Sequence, residues 1–385
     1  MPTPTALSLA RQLHSGELKI AQALDACYAA IEASGQANFA ALCKEKAYAR
    51  AGEIQARLDA GDVRSPLAGV PVAADDLICT RGIMTGAGSK ALEGFVPPYD
   101  ATVIEKITEA DMVLLGKTRV SEFGMGSGID GTAAAVAAGE APIALGGDTG
   151  GAMRRSAARH GLFALRPTYG AVSRYGLAAY ASSMDQIGPV ARDIDDCVAL
   201  FNIIKGKDKR DCMSVDAAQA PFACEGGGRR AGGASIGQSP ILDYALPVFE
   251  ILACAEASSN LARFDGIKYG RASEKAKNLR DTYVLSRGEG FGMEAKGCVL
   301  LGNLVLSAGR YDAYYVKAMR ARRLIRDRLL AALETCDALL SSAHDEAALA
   351  TASLAGLPAL ALPDGRQLIG RPFGEETLLA AAHIL

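Results

Sequence analysis

Apolar residues recur at helical spacing along residues 5–60. Leu7, Leu9, Ala10 and Leu13 form one run, and Ile20, Ala23, Leu24, Cys27 and Ile31 form a second. Ser15-Gly16 interrupts them. Residues 1–62 therefore read as an N-terminal helical segment ahead of a core of residues 63–385. Within that core, residues 66–74 enter a buried strand, 101–110 make an amphipathic helix and 112–116 a short buried strand. Residues 133–138 form a helix of small side chains, followed by the apolar run 142–145. Strands alternating with helices at this spacing predict an α/β fold, with a mixed, largely parallel sheet covered on both faces. Between Cys224 and Gln238 the periodicity stops in a Gly-rich, basic stretch (225–238), read as a loop. Two long helices are predicted after it, over 247–264 and 311–333. Basic residues on the second, Arg322 among them, read as a solvated face with i,i+4 pairing, the alternative being a tRNA or phosphate contact.

Composition narrows the core. Half of the 385 residues are hydrophobic, 6% are aromatic and none is tryptophan, so Ala, Val, Leu and Ile must fill the interior. A net charge of −2 supplies no field for strong binding to phosphate backbones, and direct tRNA binding is not expected. Nine cysteines without a C-x-x-C pair and only four histidines indicate neither a disulfide framework nor a metal site. No cofactor is expected. With no leader pattern and no apolar run long enough to span a bilayer, the expectation is a soluble, cytoplasmic protein without membrane contact.

The chemistry concentrates in Asp148-Thr149-Gly150-Gly151-Ala152-Met153-Arg154, a glycine turn entering a helix. This stretch resembles the nucleophile loop of the amidase signature family, with alanine in place of serine. Residues 65–72, 88–126, 132–151, 166–189, 253–265, 288–292 and 306–325 extend the likeness, within that family, to the A subunit of the glutamyl-tRNA(Gln)/aspartyl-tRNA(Asn) amidotransferase. The tract Phe95-Val96-Pro97-Pro98-Tyr99-Asp100 and the stretches Ser173-Arg174-Tyr175-Gly176 and Tyr311-Asp312-Ala313-Tyr314-Tyr315 carry it most specifically. The resemblance implies an α/β/α sandwich, here partly truncated, that hydrolyses amides with a Ser–cis-Ser–Lys relay. In such a relay a neutral lysine takes the serine proton through the bridging serine, and backbone amides hold the oxyanion.

By the same resemblance, the lysine position holds Asp75, the bridging position Gly128 and the nucleophile position Ala152. A tract before the small-residue helix is missing, and further pieces are absent near 225–238 and between Ser342 and Leu354. Backbone amides of Thr149, Gly150, Gly151 and Ala152 remain candidates for an oxyanion hole. The glycines equally suit plain packing of the helix on the sheet. Arg154, Arg322 and Glu346 are candidate ligand-binding residues, with Arg271 where relatives place a tyrosine. Ser127 and Thr132 are read as helix caps, Cys79 as a core residue, and Ser156 as directed away from the glycine turn. The leading expectation is a catalytically inactive homologue that serves as a binding or scaffold component. Its expected partners are the B and C subunits of the amidotransferase or a full-length A subunit. The alternatives are an active amidase or amidotransferase component with a rearranged site, and a decaying or engineered scaffold.

Overall fold

Thr5 starts the first helix, α1 (Ala6–His14), by accepting from the Ser8 amide at 3.2 Å. Its amide end is also tied down from a distance: Asp196 accepts from Ala6 N at 2.7 Å and Leu7 N at 2.8 Å. Helix α2 (Ile20–Ala33) buries Ile20, Ala23, Leu24, Cys27 and Ile31, the periodic set of the sequence. The N-terminal segment is not wholly helical, however. A turn at Gly35 and Gln36, both at positive φ, precedes a short extended stretch. This forms strand β1 (Phe39–Leu42), and α3 (Lys44–Asp59) follows.

The computed structural model describes residues 4–126, 130–216, 234–235 and 239–383. The core elements alternate as predicted: β2 (Pro71–Asp75), α4 (Thr102–Glu109), β3 (Val113–Thr118), α5 (Gly131–Ala137), β4 (Ile143–Asp148) and α6 (Ala152–Arg159). Next come β5 (Phe163–Arg166), β6 (Gln186–Ala191), α7 (Ile194–Ile204) and β7 (Ala234–Ser235). The helices α8 (Ala245–Asn260), α9 (Leu279–Gly290), α10 (Met293–Leu306) and α11 (Lys317–Leu333) precede β8 (Leu339–Ser342). The chain closes with α12 (Glu346–Ala355), β9 (Ala359–Ala361), β10 (Arg366–Ile369) and α13 (Glu375–Ala382). Apart from β7, the Gly-rich stretch 225–238 lies outside the described residues.

All described strands join one sheet in the order β1-β3-β2-β4-β6-β5-β9-β10-β8-β7. The sheet is mixed, as expected, but it is not largely parallel. Only β2–β3, β2–β4 and β7–β8 run parallel, and the other six pairings are antiparallel. Connection length explains the difference. Helices α4 and α5 carry the chain back over the sheet between β2, β3 and β4, which parallel pairing requires. By contrast, β9 and β10 are joined by a tight turn through Gly365 at φ +88° and pair antiparallel. Two apolar cores flank this framework, one beneath the N-terminal helices, α4 and α7, the other beneath α8, α11 and α12.

A buried charge cluster ties these layers together. Asp148, at the end of β4, accepts from Arg154 Nε at 2.9 Å and Nη2 at 3.2 Å, and from Arg166 Nη1 at 3.0 Å. Arg154 extends to Gln367 Oε1 (2.7 Å), the Leu349 carbonyl (3.1 Å) and Ser353 Oγ (3.0 Å). Arg166 donates to the Met184 carbonyl at 2.6 Å. Burial pushes the Asp148 carboxyl up, but the two guanidiniums outweigh it and hold it below the usual range. Burial pulls Arg166 down to about 10. Asp148→Asn leaves two buried guanidiniums without their counter-charge. Loss of one partner from such a pair costs about 3–5 kcal/mol, so urea unfolding of this variant is expected to show a correspondingly lower stability. A loss below about 1 kcal/mol would assign the cluster no structural weight.

Candidate functional site

The parallel strands β2 and β4 end side by side, and the crevice beyond them holds the residues singled out by the sequence. Asp75 is the last residue of β2. Its Oδ1 accepts from Leu77 N at 2.6 Å and its Oδ2 from Gly147 N at 3.0 Å, so both oxygens face donors. Burial pushes its carboxyl up to about 7; the two amides and Lys117 oppose this, while Asp130 adds to it. Sequence reasoning missed Lys117, on β3, whose side chain is fully buried. Its ammonium donates to the Ile78 carbonyl and lies 3.4 Å from Thr80 Oγ1, and burial lowers its proton affinity. A charged residue just after the apolar run Val113-Leu114-Leu115 was the available signal. Asp76, adjoining Asp75, accepts from Gly86 N at 3.0 Å.

Across the crevice, Gly151 caps α6 at φ +104° without a side-chain capping bond, and Ala152 is the first helical residue. The amide end of α6 thus opens into the crevice. Asp75, Asp130, Thr132, Thr149 and Ala152 line a cavity of 40 Å³. A larger cleft of 530 Å³ continues past Gly126 and Ala152 to Phe249, Cys254, Cys298 and Glu346. The glycines are required by packing. A Cβ on Gly150 would lie 2.5 Å from the Phe249 ring, and one on Gly151 would lie 2.5 Å from Leu349 Cβ.

The nearby hydroxyls are already engaged. Thr149 donates to Asp185 at 2.7 Å, and Thr132 shares a 2.7 Å bond with Thr118. Helix α5 is capped by Asp130, which accepts from Thr132 N (3.0 Å) and Ala133 N (3.4 Å). The expectation that Thr132 caps it is therefore corrected: its hydroxyl is drawn to β3 instead. Ser127 and Gly128 lie outside the described residues. Ser156 bonds the Asp130 carboxylate, whose proton affinity burial raises. Cys79 is buried, as expected of a core residue.

The candidate ligand-binding residues are not brought together. Arg154 is fully buried and spent on the Asp148 cluster, which corrects its reading as a ligand contact. Arg322 is likewise occupied: Nε donates to the Leu354 carbonyl (2.7 Å), while Nη1 and Nη2 donate to Ser183 Oγ (2.7 Å) and its carbonyl (2.9 Å). With Arg326, which donates to the Ala355 carbonyl at 3.1 Å, it closes the C-terminal end of α12. The solvated-face reading of α11 therefore fails at these two arginines. Glu346 does line the cleft but pairs with Arg155, and Arg271 pairs with Glu93. Among the described residues no group of three or more His, Cys, Asp or Glu side chains is placed to hold a metal. No described helix is long and apolar enough to cross a membrane.

Comparison with known proteins places the chain in a family. The amidase family model matches residues 22–130, 127–238 and 230–356. The chain is 39% identical over 431 residues to the glutamyl-tRNA(Gln) amidotransferase A subunit of Desulforamulus reducens, covering 90% of this chain and 89% of the relative. It is 37% identical over 475 residues to that of Lachnoclostridium phytofermentans, covering 99% and 96%. Both alignments are longer than the chain itself, so these relatives carry segments absent here. The structure of the Thermotoga maritima glutamyl-tRNA(Gln) amidotransferase A subunit matches with TM-score 0.61 and 29% identity, over 82% of each chain. The native peptide amidase of Stenotrophomonas maltophilia matches with TM-score 0.77 and 24% identity, over 99% and 96%. The latter likeness is one of fold alone.

The crevice geometry sets two measurable outcomes. The folded-state value of Asp75 lies above its ordinary 3.8, so the folded protein keeps a proton that the unfolded chain releases. The associated stability is present at low pH and lost as pH rises through about 7. Between about pH 5 and 8 this group is expected to remove up to about 3 kcal/mol. Asp75→Asn is expected to flatten that part of the slope in urea melts, its altered amide pairing adding only a pH-independent offset; parallel slopes would refute the assignment. Separately, Gly151→Ala adds a clash to a left-handed residue and is expected to destabilise by roughly 2–3 kcal/mol, read by thermal or urea unfolding.

Proposed function

The chain belongs to the amidase family, and we propose that it is a catalytically inactive homologue of the A subunit of the tRNA-dependent amidotransferase, serving as a binding or scaffold component. The observation that carries this reading is the pair facing the crevice, Ala152 at the start of α6 and Asp75 at the end of β2. A methyl group cannot attack a carbonyl. A carboxyl group whose two oxygens accept backbone amides does not reproduce an amine base. The bridging position, Gly128, has no side chain to relay a proton. Loss of members of a serine-based relay lowers turnover by about 10⁴ to 10⁶. What the site keeps is the open amide end of α6 at Thr149–Ala152, the proposed remnant of the oxyanion hole.

The relatives are named as subunits of an amidotransferase, and the partners we assign are its B and C subunits or a full-length A subunit, in the cytoplasm. Retained scaffold segments with an altered crevice favour association over turnover. One observation favours the alternative of a rearranged, active site: Ser156 is hydrogen-bonded to Asp130. It sits one helical turn beyond Ala152, away from the open amides, which weighs against it.

The purified chain, alone and mixed with the B and C subunits, is expected to release ammonia from glutamine no faster than buffer. Ala152→Ser is expected to leave that rate unchanged, because Asp75 and Gly128 still interrupt the relay. In the same mixtures the chain is expected to co-elute with the B and C subunits, or with the full-length A subunit, on size exclusion. Glutamine hydrolysis with fluorophosphonate labelling, both lost in Ser156→Ala, would establish the rearranged enzyme instead. A chain that elutes alone in every mixture would sink the scaffold role.

A further inference from the structure

Helices α8 and α10 pack against each other beside the 530 Å³ cleft. Gly302 permits this packing: a Cβ there would lie 2.0 Å from the Cys254 carbonyl oxygen. One turn earlier on α10 is Cys298, and its sulfur lies 3.2 Å from that of Cys254. Both side chains line the cleft, and Cys298 is partly exposed. The Tyr180 hydroxyl lies 3.9 Å from the Cys298 sulfur. The hydrogen bond from Cys254 lowers the Cys298 thiol most, burial opposes it, Tyr180 adds to the lowering, and Glu294 and Glu250 raise it; the outcome is about 7. Donating that bond, together with burial, pushes Cys254 far up. Cys298, the more exposed of the two residues, is placed as the attacking thiolate and the buried Cys254 as the resolving thiol.

We propose that Cys254 and Cys298 are a redox modification site, at which a peroxide converts the pair into a disulfide that ties α8 to α10. The Cys298 thiolate attacks one peroxide oxygen, the O–O bond breaks, and the departing hydroxide takes up the thiol's released proton as water. The resulting sulfenic sulfur is attacked by Cys254, whose proton leaves with the hydroxyl group as a second water. Two thiols lose two electrons in total and one peroxide accepts them. The sulfurs need to close by only about 1.1 Å to reach bonding distance. The site is independent of whether the Ala152 crevice turns over.

The reduced full-length protein is treated with stoichiometric hydrogen peroxide, blocked with N-ethylmaleimide and digested without reductant for peptide mass spectrometry. The expected product is a Cys254–Cys298 cross-link, with thiols titrated in denaturant falling from nine to seven and recovering with dithiothreitol. Cys254→Ser is expected to retain a sulfenic acid on Cys298 that dimedone traps. Cross-links that form first between other cysteines, or over-oxidation of Cys298 without a cross-link, would overturn the proposal. Should the serine variant fail to fold, the wild-type peptide map alone decides.

Discussion

The whole architecture hangs on one buried anion. Asp148 ends β4, and its carboxylate collects Arg154 from α6 and Arg166 from β5, while Arg154 reaches on to β10 and α12. Three charged groups without solvent are tolerable only because nearly every polar atom has a partner. The cluster therefore specifies positions as well as supplying energy. It holds the start of α6 against the ends of β4 and β10, and so determines where Ala152 stands and which way the helix amides point.

That constraint bears on the glycine turn that leads into α6. Gly150 is pressed by the Phe249 ring of α8, and Gly151 by Leu349 of α12 while at positive φ. Neither contact involves chemistry at Ala152. The glycine turn is thus a packing motif, held by the helices above it. Packing demands on the turn are met in full by α8 and α12, whatever the crevice does.

Much of this was legible in the chain. The periodic runs placed α1, α2, α4 and α5, and the apolar runs placed β2 to β4, because their burial patterns are local. Strand direction was not legible, since a short apolar run reads the same in either orientation, and only a tight turn joins β9 to β10. The glycine turn, Asp75 and Ala152 stood out in the chain, and the fold brings them to one crevice. The partners of Arg154 and Arg322 were not, because Gln367, Ser353 and Ser183 are distant in sequence and carry no pattern that marks them as acceptors. Arginines of this kind look like ligand clamps until the carbonyls they serve are visible.

The pairing of Asp75 limits what that position can hold. With its two oxygens accepting from Leu77 and Gly147, the local backbone presents donors to that position. An ammonium group placed there would meet two N–H groups and offer only more of the same. The surroundings of that position suit an acceptor. A basic side chain at that position gains no acceptor from the backbone at the ends of β2 and β4 as it stands.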